Sequence, residues 1–500
     1  MEYTHLSEFA IRAGSLSIWT PELHTGAWQP DDRPLTSVHA GYCTSIDPTD
    51  PRPGRGRWIG TAFEMDSPFE AGTWSETLRR WHVRHEGLRT TVATRPGAEP
   101  RRRIAAAVGI AEQRVEGVTE STRINEFLSD TFELRLSPLT WPHCLAATVE
   151  HTGDFTVIIA ADHSVMDAYS QAILILELRT LYQEVRAGAA PRESVTFGSA
   201  ADFAVLERAA AAELTVDSPA VATWREFLAH GPLPRFAAHA HRPVVAGAPQ
   251  PSVSRRVLGL TELEQVETVL DQVRHRMPVA VFAALATAHR QQFGDERFRT
   301  VMPIATRPDL RWLESMGWFV NVVPVDIAPP PGAGIAAALE CTRTALRRSR
   351  TANDAAWSRA LELLGIADTP RFGTSYLDIR VLPGYELVAD LRGRTLRAES
   401  YSPDEVFLWV VRAADGLYVS TRYPAGLAAE VMDEFLTAFG QALLSICTMA
   451  DPRESVNPGA LSTNDGTHRP TVTDPQVVPH VDDAHSAGSA EPFAVRAQVG

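Results

Sequence analysis

The sequence of 500 residues contains no lysine, so all 47 of its basic side chains are arginine. This absence excludes Schiff-base chemistry with pyridoxal phosphate or an aldol substrate, and it excludes the phosphate-binding lysine of a Walker A loop. A formal net charge of -14 also argues against general nucleic-acid binding, because such binding depends on neutralising phosphates. The composition therefore excludes lysine-dependent chemistry and argues against general nucleic-acid binding.

Cysteine is also scarce, with four residues that lie more than a hundred positions apart: Cys43, Cys144, Cys341 and Cys447. Without a Cys-x-x-Cys pair, the spacing favours neither a disulfide framework nor a thiolate zinc site. The chain also lacks a Gly-x-Ser-x-Gly motif, which removes the commonest serine-hydrolase interpretation. We expect no metal centre and no permanently bound cofactor.

Long hydrophobic runs are missing as well. No apolar stretch approaches the roughly 18 residues that a bilayer span requires, and the first residues are polar. These features predict a cytoplasmic protein with no integral membrane segment.

The length and the periodicity favour an α/β fold in two domains of roughly 200 residues each. We place the first domain at 1–190, connecting helices and a Pro- and Gly-rich linker at 191–253, the second domain at 254–450 and a disordered tail at 451–500. The clearest predicted strands and helices follow from periods of two and 3.6 residues. The strands are 155–161, 300–304 and 319–327, and the helices are 74–85, 167–186, 263–273, 279–293 and 335–349.

His163 is the most informative residue. It follows an apolar run and the single acidic residue Asp162. Among the 16 histidines of the sequence, only His163 has an aspartate, Asp167, four positions later. A core histidine that binds a backbone carbonyl would also suit this spacing. However, the position between a buried strand and a helix start favours a general base, since imidazole with a pKa near 6.5 can take an alcohol proton near pH 7.

Four further segments accompany this pair over about residues 1–450, and with them the chain resembles the condensation-domain superfamily of acyltransferases. Within it the chain is similar to the polyketide-associated acyltransferases of actinobacterial lipid assembly. In the signature His-His-x-x-x-Asp-Gly, His163 and Asp167 match the second histidine and the aspartate, whereas Asp162 and Ala168 replace the first histidine and the glycine. The further segments are RHEGLRT at 84–90, VMPIATR at 301–307, GWFVNVVPV at 317–325 and GTSYLD at 373–378.

The resemblance implies a fold of the α/β class (α+β, two-layer), with two chloramphenicol-acetyltransferase-like domains arranged as a V-shaped pseudo-dimer. It also implies a channel through their junction, with the catalytic His163 near its middle. Asp167 would then pair with Arg307 as structural support of the site. Ser375, Trp318 and Asn321 are the candidates, by motif position, for the substrate channel or for oxyanion stabilisation.

The activity that the resemblance implies is acyl transfer from acyl-CoA, or from a phosphopantetheinyl thioester on an acyl carrier protein or polyketide synthase. The acceptor would be a hydroxyl of a sugar, polyketide or glycolipid. We also expect the protein to be a monomer. Two alternatives remain open: an amide-forming condensation enzyme of nonribosomal peptide synthesis, and a catalytically silent docking module, which Asp162 and Ala168 would suit. A sealed channel, or an Arg307 far from Asp167, would favour the docking module.

Overall fold

The computed structural model describes residues 3–46, 57–95, 97–191, 198–237, 249–399, 402 and 404–449, so the predicted tail at 451–500 lies outside the described residues. Within these ranges the α-helices are α1 Ser37–Thr44, α2 Ala71–Arg84, α3 Ser121–Arg135, α4 Ala168–Arg186, α5 Ala200–Ala212, α6 Pro219–Ala229, α7 Leu260–Gln272, α8 Met277–Phe293, α9 Ile335–Ser349, α10 Trp357–Leu363, α11 Tyr385–Asp390 and α12 Ala429–Leu444. The strands are β1 Tyr3–His5, β2 Ser15–Glu22, β3 Trp28–Asp31, β4 Trp58–Met65, β5 Thr90–Arg95, β6 Ala98–Ala105, β7 Gly109–Arg114, β8 Cys144–Glu150, β9 Phe155–Asp162, β10 Ser252–Gly259, β11 Phe298–Ala305, β12 Val320–Ile327, β13 Phe372–Asp378, β14 Arg394–Arg397, β15 Val406–Ala413 and β16 Gly416–Arg422. Among the described residues, no helix has both the length and the apolar character that crossing a bilayer requires.

The predicted strands and helices are confirmed, and their ends shift by at most three residues. The helix predicted at 74–85 begins earlier, at Ala71, and the helix predicted at 335–349 is observed with those bounds as α9. Strong periodicity explains this agreement, because one face of each element is buried and the sequence must repeat accordingly. The mixed α/β class is confirmed as well.

The first half of the chain is built on a seven-stranded sheet in the order β1-β14-β4-β9-β8-β2-β7. Alternate residues of β9 enter two different cores: Val157 and Ile159 pack with α2 and α4, whereas Ile158 and Ala160 pack with α3. Burial of both faces explains why this strand is apolar throughout rather than alternating. It also fixes the end of β9, where His163 stands.

The second half is built on a six-stranded sheet in the order β10-β16-β15-β13-β11-β12. One face packs against α8, α9 and α12 in a core that includes Leu408, Val410 and Val325. Because successive side chains of a strand point to opposite faces, the other residues of these strands face the first half. The junction between the halves is therefore lined by a sheet face.

The two halves are interleaved. Strand β14 comes from the second half of the chain, yet it lies in the first sheet, parallel to β1 and antiparallel to β4. The predicted boundary would place residues 394–397 in the second domain, so this strand crosses from one predicted domain to the other. Backbone hydrogen bonds thus tie a segment from the second half of the chain into the sheet of the first half.

Candidate active site

A cavity of about 610 Å³ lies at this junction. One wall of the cavity belongs to the second half of the chain and includes Ser375 of β13 and Phe407 and Trp409 of β15. These side chains face the cavity because side chains alternate along a strand, and residues next to them in β15 enter the core. The first-half wall includes Tyr42 of α1 and His163. The cavity therefore reaches His163, the predicted base.

Gly373 on β13 allows the Phe407 ring to lie against the sheet. A Cβ atom at this position would stand 2.5 Å from a carbon of that ring. Glycine is required because the aromatic ring occupies the space of a side chain. The ring in turn shapes the cavity wall beside Ser375.

His163 begins a short 3-10 turn, His163–Val165, between β9 and α4. Its ring stacks at a tilt against Trp318, with 4.8 Å between the ring centroids. Burial lowers the pKa of the imidazole below its ordinary value, although a hydrogen bond to its own backbone and the charge of Asp167 oppose this effect. The neutral form is therefore favoured at neutral pH, as proton abstraction requires.

Asp167 caps the N-terminus of α4, and its carboxylate accepts four hydrogen bonds. Oδ1 accepts from Ser170 N at 2.7 Å and from Arg307 Nη2 at 3.1 Å. Oδ2 accepts from Arg307 Nη1 at 2.9 Å and from Phe319 N at 3.0 Å. Burial raises the pKa of Asp167, but the charge and hydrogen bonds of Arg307, together with the hydrogen bonds of Ser170, outweigh it and hold the pKa below its usual value. The structure thus brings Asp167 and Arg307 together as a bidentate ion pair between the two halves.

Ser170 extends this bridge. Its hydroxyl accepts from Arg307 Nη2 at 3.1 Å and from Gly317 N at 3.2 Å, and it is within 3.1 Å of the Gly317 carbonyl, to which it donates. The Arg307 guanidinium also lies over the rings of Tyr169 and Phe319, at 4.3 and 4.6 Å. The loop before β12, which carries Trp318, is consequently tied to the start of α4.

Asp162, at the position of the first motif histidine, is buried beside the site. It accepts from Ser164 N at 2.9 Å and from the Tyr42 hydroxyl at 3.1 Å. Burial raises the pKa of Asp162 to about 6, although Ser164 and Tyr42 oppose the shift. Tyr42 also packs edge-on against Trp318 at 5.4 Å. Asp162 therefore stabilises the turn that carries His163, and it also binds Tyr42, which packs against Trp318 beside His163.

The three oxyanion candidates lie in different environments. Ser375 and Trp318 line the cavity. Asn321 does not, because its amide donates to the carbonyls of Asn353 and Ala355 and its oxygen accepts from Trp357 N. These contacts are with the loop after α9, so the structure does not bring Asn321 into the cavity with Ser375 and Trp318.

Sequence reasoning missed several residues of this site. Tyr42, Ser170, Arg397, Trp409 and Arg422 each line the cavity or contact its central residues. Of these, only Ser170 lies close to the motif in sequence, three residues after Asp167, where a helix-capping pattern could have revealed it. The others come from distant strands and helices, and no local pattern marks them.

Comparison with known proteins identifies related chains. Residues 58–360 match the Condensation domain family. The chain is 28% identical over 202 residues to trehalose-2-sulfate acyltransferase PapA2 of Mycobacterium tuberculosis, a match that spans 39% of this chain and 42% of that protein. It is 25% identical over 327 residues to 2'-acyl-2-O-sulfo-trehalose (hydroxy)phthioceranyltransferase PapA1 of the same species, spanning 62% of this chain and 60% of that protein. The chain thus spans about half the length of these curated relatives.

A solved structure titled PapA2 acyl transferase has the same fold. It superposes with a TM-score of 0.78 at 20% identity and covers 89% of this chain and 100% of that one. At this level of identity the likeness shows the fold alone. The arrangement of two sheets around a junction is therefore that of a known acyltransferase structure.

Proposed function

The chain belongs to the condensation-domain family, and on that premise we propose that it is an acyltransferase that moves an acyl group from a thioester to a hydroxyl. The observation that carries this proposal is the position of His163 on the wall of the junction cavity. The curated relatives, which are named for acyl transfer to sulfated trehalose, support a hydroxyl acceptor. The donor is a thioester of coenzyme A or of a phosphopantetheinyl carrier.

In this mechanism neutral His163 accepts the hydroxyl proton as the acceptor oxygen attacks the thioester carbonyl carbon. A tetrahedral oxyanion forms, then the carbon–sulfur bond breaks and the imidazolium returns its proton to the departing thiolate. The ester and the free thiol are the products, so atoms and charge balance without a covalent acyl-enzyme. The lowered pKa of His163 supports this role, because the ring is neutral and ready to accept a proton at neutral pH.

Two neighbouring groups serve this chemistry. The bidentate pair of Asp167 and Arg307 positions the turn that carries His163, and small displacements of a catalytic group are costly. Ser375 lines the cavity, and in this mechanism its hydroxyl donates to the oxyanion. Donors of this kind contribute most when water is excluded.

The docking-module alternative is less well supported. A sealed cavity or a broken bridge would favour it, whereas the cavity reaches His163 and Arg307 lies 2.9 Å from Asp167. Asp162 replaces the first motif histidine without disturbing the turn, because Ser164 and Tyr42 bind its carboxylate. The amide-forming alternative uses the same base as the proposed ester-forming reaction. The two reactions differ only in the acceptor, which is an amine or a hydroxyl.

The test is to assay the purified full chain with acyl thioesters and alcohol acceptors by thiol release and product mass. His163→Gln keeps a polar side chain but has no basic nitrogen. We expect its turnover number to be about 10²- to 10⁴-fold lower than that of the wild type. In the wild type, kcat/KM should rise through one ionisation below pH 6.5 and stay level through neutral pH, since burial lowers the pKa of His163.

The matched control is His24→Gln, which changes an exposed histidine that does not line the cavity. It should retain wild-type rates, and thermal denaturation checks that both variants fold. Undiminished turnover by folded His163→Gln would contradict the mechanism. Acylation of a carrier-bound amine in preference to alcohols, detected by intact mass, would replace the ester-forming function with the amide-forming one.

A further inference from the structure

Two arginines that the mechanism does not use line the same cavity. Arg397 ends β14 and Arg422 ends β16, and they are only 2% and 7% exposed. On β14 the neighbouring Leu396 enters the core of the first half, so alternation turns Arg397 towards the junction. Arg397 and Arg422 therefore reach the cavity from different sheets, one from each.

The Trp409 ring lies close to both arginines. The Arg397 and Arg422 guanidinium carbons stand 4.8 and 5.2 Å from the ring centroid. Arg397 donates to the Thr421 carbonyl at 3.2 Å, and Arg422 donates to the Glu405 carboxylate. The indole and these acceptors hold the two side chains in fixed positions, which is the preorganisation that a binding site needs.

The positive charge of this cluster acts on its neighbours. Burial, followed by the charges of Arg397 and Arg422, lowers the pKa of His5 to about 4. At His163, where burial is the main cause of the lowered pKa, Arg422 adds to the effect while Glu405 opposes it. Because Arg397, Arg422 and His163 line the same cavity, the cluster and the proposed base can contact one bound substrate.

We propose that Arg397 and Arg422 form an anion subsite in the acyl-transfer cavity, which binds a sulfate or phosphate ester of one of the two substrates. The planar guanidinium group matches two oxygens of a tetrahedral oxyanion, and binding is strong where water is excluded. This inference rests on the proposed acyl transfer, because it assigns a chemical group to a substrate of that reaction. The anion belongs either to the acceptor or to the nucleotide part of coenzyme A.

The direct test is binding of inorganic sulfate to the full chain, measured by tryptophan fluorescence at constant ionic strength with chloride as the exchanged ion. Trp409 reports on the site, and Trp409→Phe identifies its signal. We expect saturable binding to the wild type, and at least tenfold weaker binding to Arg397→Met, which corresponds to about 1.4 kcal/mol. The second variant, Arg422→Met with Glu405→Gln, should weaken binding similarly without leaving the partly buried Glu405 carboxylate unpaired.

The matched control is Arg256→Met, which removes an exposed arginine from β10 in the same sheet and should bind sulfate as the wild type does. Equal sulfate binding by the wild type and both cavity variants would overturn the subsite, and so would a wild type that shows no saturable binding. Because this measurement needs no turnover, its outcome is independent of whether acyl transfer is observed.

Kinetics then identify which substrate carries the anion. The donor pair is an acyl-CoA and the same acyl group on N-acetylcysteamine, and the acceptor pair is a disaccharide and its sulfate ester. We expect the wild type to have at least a tenfold lower KM for the anionic member of one pair, and Arg397→Met to bring that ratio close to one. KM ratios that are the same in the wild type and in Arg397→Met for both pairs would overturn the assignment to a substrate.

Discussion

The bridge between Asp167 and Arg307 allows a quantitative prediction. Their side chains are 1% and 3% exposed, and breaking a buried ion pair from one side costs about 3 to 5 kcal/mol. In Arg307→Met, Asp167 keeps the backbone donors of Ser170 and Phe319. We therefore expect the lower end, a loss of about 3 kcal/mol in the free energy of unfolding. Urea denaturation followed by tryptophan fluorescence measures this loss.

The loss should depend on pH in a defined direction. With Arg307 present, the pKa of Asp167 in the folded protein lies below its usual value. The charged Asp167 therefore stabilises the folded protein at pH values above the pKa that it has in the unfolded chain. This stabilisation disappears as the pH falls through the pKa of Asp167 in the folded protein. Without Arg307, burial prevails and the folded pKa rises above the unfolded value. The charged carboxylate then costs stability as the pH increases, so the loss should be larger at pH 8 than at pH 5.

The control is Arg343→Met, which breaks an exposed pair with Glu340 on α9, where the side chains are 43% and 57% exposed. Such pairs contribute less than about 1 kcal/mol. The reasoning would be refuted if Arg307→Met lost no more stability than Arg343→Met, or if its loss were the same at both pH values.

Three further predictions follow from the site. In Ser375→Ala, kcat for acyl transfer should fall about 10²-fold with little change in KM if the hydroxyl stabilises the oxyanion, and an unchanged kcat would remove Ser375 from that role. Tyr42→Phe removes the 3.1 Å hydrogen bond to Asp162 and should cost about 1 to 3 kcal/mol of unfolding free energy. Because the pKa of Asp162 is already raised to about 6, chemical denaturation should show a larger loss at pH 8 than at pH 5, and a pH-independent loss would contradict this account. Gly373→Ala places a Cβ 2.5 Å from the Phe407 ring and should lower stability by about 1 to 3 kcal/mol, which thermal denaturation would detect. Adding Phe407→Leu should recover part of the loss, and no recovery would mean that the clash is not its cause.

Local sequence patterns predicted the individual elements because burial imposes its period on the residues. The apolar run of β9 and the heptad-like spacing of α4 identified the strand and the helix on either side of His163. Asp167 was predicted at the start of that helix, and it is the N-cap. The resemblance to the family then predicted Arg307 as the partner of Asp167, because family motifs identify segments that are in contact although they are far apart in sequence.

Other parts of the site could not be predicted in this way. The position of Asn321 in a family motif predicts a role at the oxyanion or in the channel, but the direction of its side chain depends on residues 352–357, which pack against it. The insertion of β14 between β1 and β4 depends on pairing across more than 300 residues. Neither feature leaves a periodic signal.

The sequence by itself determined the chemistry that is excluded, the strands and helices, and the histidine on which the proposed reaction depends, because each follows from residue type and local spacing. Only the tertiary structure decided which side chains share the cavity. Tyr42, Trp318, Arg397 and Arg422 come from elements far apart in the chain, and their meeting around His163 depends on the packing of two sheets against each other. The physical reason is that strand alternation determines which face a residue occupies, whereas the packing of the sheets determines what that face meets.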